Sequence, residues 1–344
     1  MKKTLTLLTG LLFCVTTALA QNAEVTPPIA EFLREPPLFF DFRWAGDTLY
    51  LSGTHALYRF SPADHQRPQK SRSFLNTLDF VYISPDAEMI IAEDFDSVAG
   101  SLIIKRELMT GEKVGRLTVE AGAALPVTGY SRDGRLAAVL LPDWGAQQIE
   151  LHLYDLEAGA LLWTANLNPN EGTLHSLVFT PDGRYLAVWG ETSSVLLWDT
   201  AQGQIVHRFT ASDEYDILRG VNFSPDSRLM YAVASEQMFV WQQQRTGGRA
   251  RWERAAVYPV FASFLHLLLS ADGQTLVGVT YGEYGEIHLW HVDGMTVTPE
   301  RVFTVEDGNW LVRQPAISDD AQYLAAADPR DNIIRIWQLK DARS

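Results

Sequence analysis

One cysteine, Cys14, occurs in 344 residues. From Gln21 onward there is no thiol, which excludes a disulfide, a thiolate metal site and a cysteine nucleophile from that part of the chain. Long apolar runs are equally scarce. Beyond residue 20 no segment approaches the roughly 18 uninterrupted apolar residues of a membrane-spanning helix. Positive charge is also short, with 28 Lys and Arg against 42 Asp and Glu, a net charge of −14. That sign argues against nucleic acid and anionic membrane surfaces as partners, since both need a positive contact face. Catalytic signatures are missing too. The chain holds no G-x-S-x-G elbow, no H-E-x-x-H pair and no glycine-rich phosphate loop.

What the chain does have begins with an export signal. Lys2 and Lys3 precede a largely apolar stretch from Leu5 to Ala20, and Ala18-Leu19-Ala20 is a small-x-small cleavage site before Gln21. This is a secretory signal peptide of bacterial type over residues 1–20, and the expected location is periplasmic or secreted. Leu12 and Phe13 precede Cys14, where a lipoprotein signal would need small residues, so Cys14 is assigned to the discarded peptide. Cleavage removes two lysines and no acid, which leaves 26 basic against 42 acidic residues and a balance of −16. The acidic balance fits solubility in the periplasm. About 320 residues suffice for a core without disulfides.

The rest of the chain is repetitive. A turn of the form S-P-D-G recurs as SPDA at Ser84, SRDG at Ser131, TPDG at Thr180, SPDS at Ser224, SADG at Ser270 and SDDA at Ser318. RWAG at Arg43 is a seventh copy, recognised by position. The intervals between first residues are 41, 47, 49, 44, 46 and 48. A period in the forties with strand-like flanks marks a repeat architecture.

The copy from Leu174 to Thr210 shows the unit. It predicts strands over Leu174–Thr180, Tyr185–Gly190, Ser194–Asp199 and Ile205–Thr210, with Pro181-Asp182-Gly183 turning the first into the second and Gly203 breaking the last turn. The fourth strand, with His207 and Arg208, is polar enough for an outer edge. Such a sheet, apolar on both faces, is stable only between neighbours, which is what blades around a central axis provide.

Trp198-Asp199, the tryptophans Trp241, Trp290 and Trp337 in the same strand of other copies, and Tyr154-Asp155 together resemble the WD-repeat β-propeller family, over roughly residues 25–340. No copy has the Gly-His pair that usually opens such a repeat. The expected fold is all-β: a seven-bladed β-propeller of four-stranded antiparallel blades occupying residues 21–344. The chain ends just after the third strand of the last copy, and the family closes its ring with an N-terminal strand. The resemblance therefore implies that the segment Pro28–Leu33 completes the last blade, and Pro27 and Pro28 suit an edge strand.

No metal or cofactor is expected. The eight histidines are scattered. His288 and His291 stand three apart on a strand, hence on opposite faces, and His152 and His288 share a register that reads as a packing slot. Glu93, Asp94 and Asp96 read as an acidic loop whose spacing lacks a calcium cage. Asp155, Gly159 and Trp163 resemble the blade-docking motif of pyrroloquinoline-quinone propeller dehydrogenases, but the tryptophan occurs once, with Gly115 and His207 at the equivalent places.

The S-P-D-G turns belong to one face of the propeller, and the remaining loops to the other. Those other loops carry Trp144, Tyr215, Tyr284 and Trp310, aromatic residues of the kind that anchor interfaces. Five residues before each turn stand Leu38, Asp79, Pro126, His175, Arg219, Leu265 and Arg313. His175, Arg219 and Arg313 thus place basic groups near one channel mouth of an acidic chain, where they favour an anionic group. The expected function is an exported, non-enzymatic, monomeric scaffold that binds another protein or a cell-envelope ligand. The alternative is a propeller enzyme, a lactonase-type hydrolase or quinone-dependent oxidoreductase, with its site at the channel mouth.

Overall fold

The computed structural model describes residues 24–340, apart from a few single positions and short stretches, chiefly 34–38, 74–79, 97–99, 120–126, 144–147, 168–173, 212–215, 281–284, 305–312 and 329–332. Seven sheets are arranged as blades. Blade 1 runs β3 (Phe39–Ala45), β4 (Thr48–Gly53), β5 (Ala56–Phe60) and β6 (Gln69–Ser73). Blade 2 is β7 (Phe80–Ile83), β8 (Met89–Asp96), β9 (Gly100–Glu107) and β10 (Lys113–Val119). Blade 3 is β11 (Val127–Tyr130), β12 (Leu136–Asp143), β13 (Gln148–Asp155) and β14 (Ala160–Leu167). Blade 4 is β15 (Leu174–Phe179), β16 (Tyr185–Gly190), β17 (Ser194–Asp199) and β18 (Gln204–Thr210), within one residue of the strands read from the sequence. Blade 5 is β19 (Arg219–Phe223), β20 (Leu229–Ala234), β21 (Gln237–Thr246) and β22 (Arg249–Pro259), and blade 6 is β23 (Phe264–Leu269), β24 (Thr275–Thr280), β25 (Glu286–Asp293) and β26 (Thr296–Thr304). Blade 7 has β27 (Arg313–Ile317), β28 (Tyr323–Asp328) and β29 (Ile333–Gln338), and its fourth strand is β2 (Ala30–Leu33). A single 3-10 turn at Pro62–Asp64 is the one helical element among the described residues.

The packing explains the hydrophobic pattern. The middle strands β17, β20 and β24 are buried at every position, because neighbouring blades cover both of their faces. Outer strands such as β18 are mostly exposed. Each of the seven hydrophobic clusters spans two adjacent blades. Phe209 of blade 4 meets Met230, Trp241 and Trp252 of blade 5, and Phe42 and Trp44 of blade 1 meet Ala325 and Ile336 of blade 7. Seven clusters for seven seams describe a closed ring.

Closure follows the sequence expectation. β2 pairs antiparallel with β29 from Ala30 opposite Ile336 to Leu33 opposite Ile333, and Arg335 Nε donates to Glu31 Oε1 at 3.1 Å. Trp44 Nε1 adds a bond of 3.1 Å to the Ala316 carbonyl across the seam between blades 1 and 7. A further strand was not foreseen. β1 (Glu24–Val25) pairs in parallel with the far end of β26 and gives blade 6 a fifth strand.

Two readings change. Glu93, Asp94 and Asp96 do not form a loop: they lie within β8, opposite Ile103, Leu102 and Gly100. A third strand long enough to pair with this stretch draws the acids into the ladder. In the RWAG copy, Arg43, Trp44 and Ala45 still belong to β3, and the turn itself is Gly46-Asp47.

Phe209 is fully buried, with edge contacts to Trp241 and Trp252 at centroid distances of 5.4 Å each. Phe209→Ala is expected to lower the unfolding free energy by about 3–5 kcal/mol. Denaturant titration of both proteins checks this, and a loss under about 1 kcal/mol would mean that the seam repacks around the cavity.

Candidate interaction faces

The first strand of every blade is the innermost, and these strands contact one another around the axis. The ring therefore has two mouths, one edged by the turns from the first to the second strand, the other by the beginnings of the first strands.

At the turn mouth, six copies share one hydrogen-bond pattern. The hydroxyl of the first residue donates to the aspartate two positions on, as Ser131 does to Asp133 at 2.6 Å and Thr180 to Asp182 at 2.6 Å. The same carboxylate accepts the amide two residues beyond it, Arg135 N at 3.0 Å in the first case. The fourth turn residue has positive φ, which suits Gly134, Gly183 and Gly273 but is also imposed on Ala87, Ser227 and Ala321. The seventh copy lacks both the hydroxyl and the acid. Its Gly46 amide instead donates to Asp319 Oδ2 of blade 7, at 3.1 Å. Other turn residues also bridge seams: Asp182 N donates to Ser227 Oγ at 3.0 Å and Tyr82 Oη to the Arg132 carbonyl at 3.1 Å.

These turns enclose an open depression of about 520 Å³, lined by Asp86, Ser131, Arg132, Asp133, Pro181, Asp182, Gly183 and Asp319. Its acids differ in environment. The Ser84 hydroxyl and the Glu88 amide hold the Asp86 carboxyl below the usual range. Burial pushes the Asp133 carboxyl up, but its bonds to Ser131 and Arg135 outweigh that and leave it lowered. Burial raises the Asp319 carboxyl, against the Gly46 amide and Arg132. The carboxylates are engaged in turn geometry, and no group of three His, Cys, Asp or Glu residues placed to hold a metal ion occurs among the described residues. The signal for a depression was present in the repeated acids, but only ring closure brings turns of blades 2, 3, 4 and 7 around one opening.

At the opposite mouth, His175, Arg219 and Arg313 all stand at the beginnings of innermost strands, in blades 4, 5 and 7. His175 and Arg219 are exposed. Equal sequence offset does not put them at one ladder position. His175 is itself the extra residue of a bulge in β15, whereas Arg219 and Arg313 are paired, with Val233 and Ala327, just before their bulges. His175 Nδ1 lies 3.0 Å from Ser176 Oγ. Trp144, Tyr215, Tyr284 and Trp310 lie outside the described residues.

The histidine slots are accounted for. His152 Nε2 is 2.8 Å from Glu150 Oε2, and His288 Nε2 is 2.7 Å from Glu286 Oε2, each a same-face pair two residues apart on the third strand. Burial lowers the His207 imidazole, with Arg251 adding to the effect.

The Asp155–Gly159–Trp163 spacing does perform docking, at one seam. Asp155 Oδ1 accepts the amides of Glu157 and Ala158, both at 2.9 Å. Trp163 reaches across to blade 4, stacks on Trp198 at 5.9 Å and donates to the Thr200 carbonyl at 2.7 Å. Gly203 permits this approach, because its φ is +63° and a Cβ there would stand 3.0 Å from the Trp163 ring.

Comparison with known proteins agrees with this geometry. A model of the anaphase-promoting complex subunit 4 WD40 domain matches residues 136–224. The small ribosomal subunit protein RACK1y of Oryza sativa subsp. japonica is 26% identical over 136 residues, 37% of each chain. The serine/threonine-protein kinase VPS15 of Arabidopsis thaliana is 28% identical over 81 residues, 24% of this chain and 5% of that one. The chain thus spans only a minor part of these curated relatives. Among solved structures, a chain of the mitotic checkpoint complex superimposes with a TM-score of 0.65 at 14% identity, covering 92% of this chain and 95% of that one. The Cps50 (Swd1) β-propeller domain of Myceliophteria thermophila gives 0.63 at 13%, covering 88% and 96%. The resemblance to WD-repeat propellers read from the tryptophans and turns therefore extends to the whole fold.

The Ala158 amide bond, followed by Arg135 at 3.1 Å and the Glu157 amide, holds buried Asp155 below the usual carboxylate range against its desolvation. A folded-state value below the unfolded one of about 3.9 contributes stability that is whole above about pH 4 and lost as pH falls through the folded value. Asp155→Asn is expected to cost about 1–3 kcal/mol at neutral pH and to flatten the acid limb of the stability curve. Denaturant melts between neutral pH and acid check both, and parallel curves for the two proteins would refute the assignment.

Proposed function

We propose that this WD40-type propeller is an exported, non-enzymatic interaction scaffold that presents the mouth opposite the S-P-D-G turns to another protein or a cell-envelope ligand with an anionic group. The observation that carries the reading is the placement of His175, Arg219 and Arg313 at the beginnings of innermost strands, all at one end of the ring of a chain whose net charge is −14 over its full sequence. Basic groups at one mouth of an acidic chain favour a negatively charged group at that point, so they set orientation as well as affinity. WD40 propellers generally serve as protein-interaction scaffolds, and the acids of the turn mouth are already engaged in holding turns and seams. Export rests on the leader over residues 1–20. Those residues lie outside the described ones.

The test is affinity capture from a periplasmic extract with the processed chain as bait, followed by titration of the captured partner. Replacing Arg219 and Arg313 together by alanine is expected to weaken binding at least tenfold, the scale of an interface anchor. Unchanged binding to every captured partner would remove the channel-mouth assignment. Amino-terminal sequencing of the protein recovered from the envelope fraction is expected to begin at Gln21, and an intact leader on cytoplasmic protein would overturn export.

A further inference from the structure

Outer strands of a propeller are open sheet edges, and an unguarded edge pairs with another strand. Charge is the commonest guard, and six of the seven outer strands carry an exposed charged residue: Lys70 on β6, Arg116 on β10, Arg208 on β18, Arg251 on β22, Glu300 on β26 and Glu31 on β2. β14 is the exception. Its eight residues, ALLWTANL, include neither a charged residue nor a proline. Leu161 and Leu162 are 50% and 48% exposed, and Ile205 and Val206, at the equivalent places on β18 of the adjacent blade, are 43% and 46% exposed. Ala160, Thr164 and Asn166 are exposed as well.

We propose that β14 is a self-association site, at which the strand pairs antiparallel with β14 of a second copy of this chain about a two-fold axis. Three observations select that occupant. Two processed copies, each with a balance of −16, repel over most of their surface, and β14 is the outer edge on which they meet without charge. On β6, β10, β18 and β2 every charged residue has one sign, so two-fold pairing sets like charges along one ladder with no unlike partner, and β26 is already paired by β1. Antiparallel pairing of a strand with itself is isologous, so one strand supplies both halves of the interface. The fold also shows that an outer edge accepts a fifth strand, since β1 adds to β26 beyond its bulge. β14 has a bulge at the same place, around Leu162, and a regular run from Trp163 to Leu167 after it. That run forms the pairing register, and Leu161 and Leu162 lose their exposure beside it. This site is independent of the channel-mouth reading and contradicts the monomer expected from the sequence.

Sedimentation velocity and light scattering of the processed chain test it. The wild type is expected to be a dimer at about 100 µM and to dissociate on dilution. Thr164→Lys places two lysines in the paired run and is expected to weaken the dimer at least tenfold, with an unchanged circular dichroism spectrum and melting temperature. Leu161→Lys, at an exposed position beside the run, is expected to act in the same direction. Thr118→Lys, on the charged edge β10, is the control and should leave the dimer intact. A wild type that is monomeric at about 100 µM overturns the proposal. So does a dimer that tolerates Thr164→Lys, or one that Thr118→Lys disrupts equally.

Discussion

A sheet that is apolar on both faces has no stable existence in water by itself, and that constraint organises this molecule. Each blade must be covered on both sides, so each blade must have two neighbours, and the line of neighbours must return on itself. Phe209 against Trp241, Trp163 against Trp198 and Trp44 against Tyr323 are local forms of one requirement. The closing seam meets it in the same way as the others. What distinguishes that seam is connectivity, since one of the two blades that meet there is built from both ends of the chain, β2 pairing with β29. Removing β2 would expose one edge of blade 7 and loosen the seam on which every other seam depends.

The two mouths then have different tasks. At the turn mouth, hydroxyl–carboxylate pairs fix the chain reversal, and a few residues extend the fixing across seams. Gly46 shows how this works when the local motif has been lost: with Ala45 where the other copies have their aspartate, it uses Asp319 from the neighbouring blade. The acidity of this face is a consequence of turn chemistry repeated around a ring. At the other mouth β15, β19 and β27 have bulges near their beginnings, which take His175 out of the ladder and leave Arg219 and Arg313 paired just before them. His175 and Arg219 are both exposed there.

Much of this was legible in the chain. The turn copies count the blades because a Ser-x-Asp pair and a positive-φ residue are local requirements of one kind of reversal, readable wherever they recur. Blade 4 could be delimited to within a residue because its apolar runs and turn residues alternate sharply. The closing strand was legible through what the last copy lacked. Other features were not. β1 is two residues long, and nothing in Glu24-Val25 announces that the far end of β26 is open to it. Glu93, Asp94 and Asp96 look like a loop because acids are rare in strands, yet a long third strand holds them in register. The equal offsets of His175, Arg219 and Arg313 suggested one ring of positions, and bulges, which sequence spacing does not reveal, put them at different ladder steps.

The sequence by itself determined the unit, its number and its order, because turn chemistry and strand hydrophobicity act over a few residues. It also determined the charge of each outer edge, including the absence of charge on β14. Only the tertiary structure decided which turns share an opening, which acid serves Gly46, and which edge strand receives a second partner. Those outcomes depend on residues dozens to hundreds of positions apart meeting when the ring closes, and no local pattern encodes such a meeting.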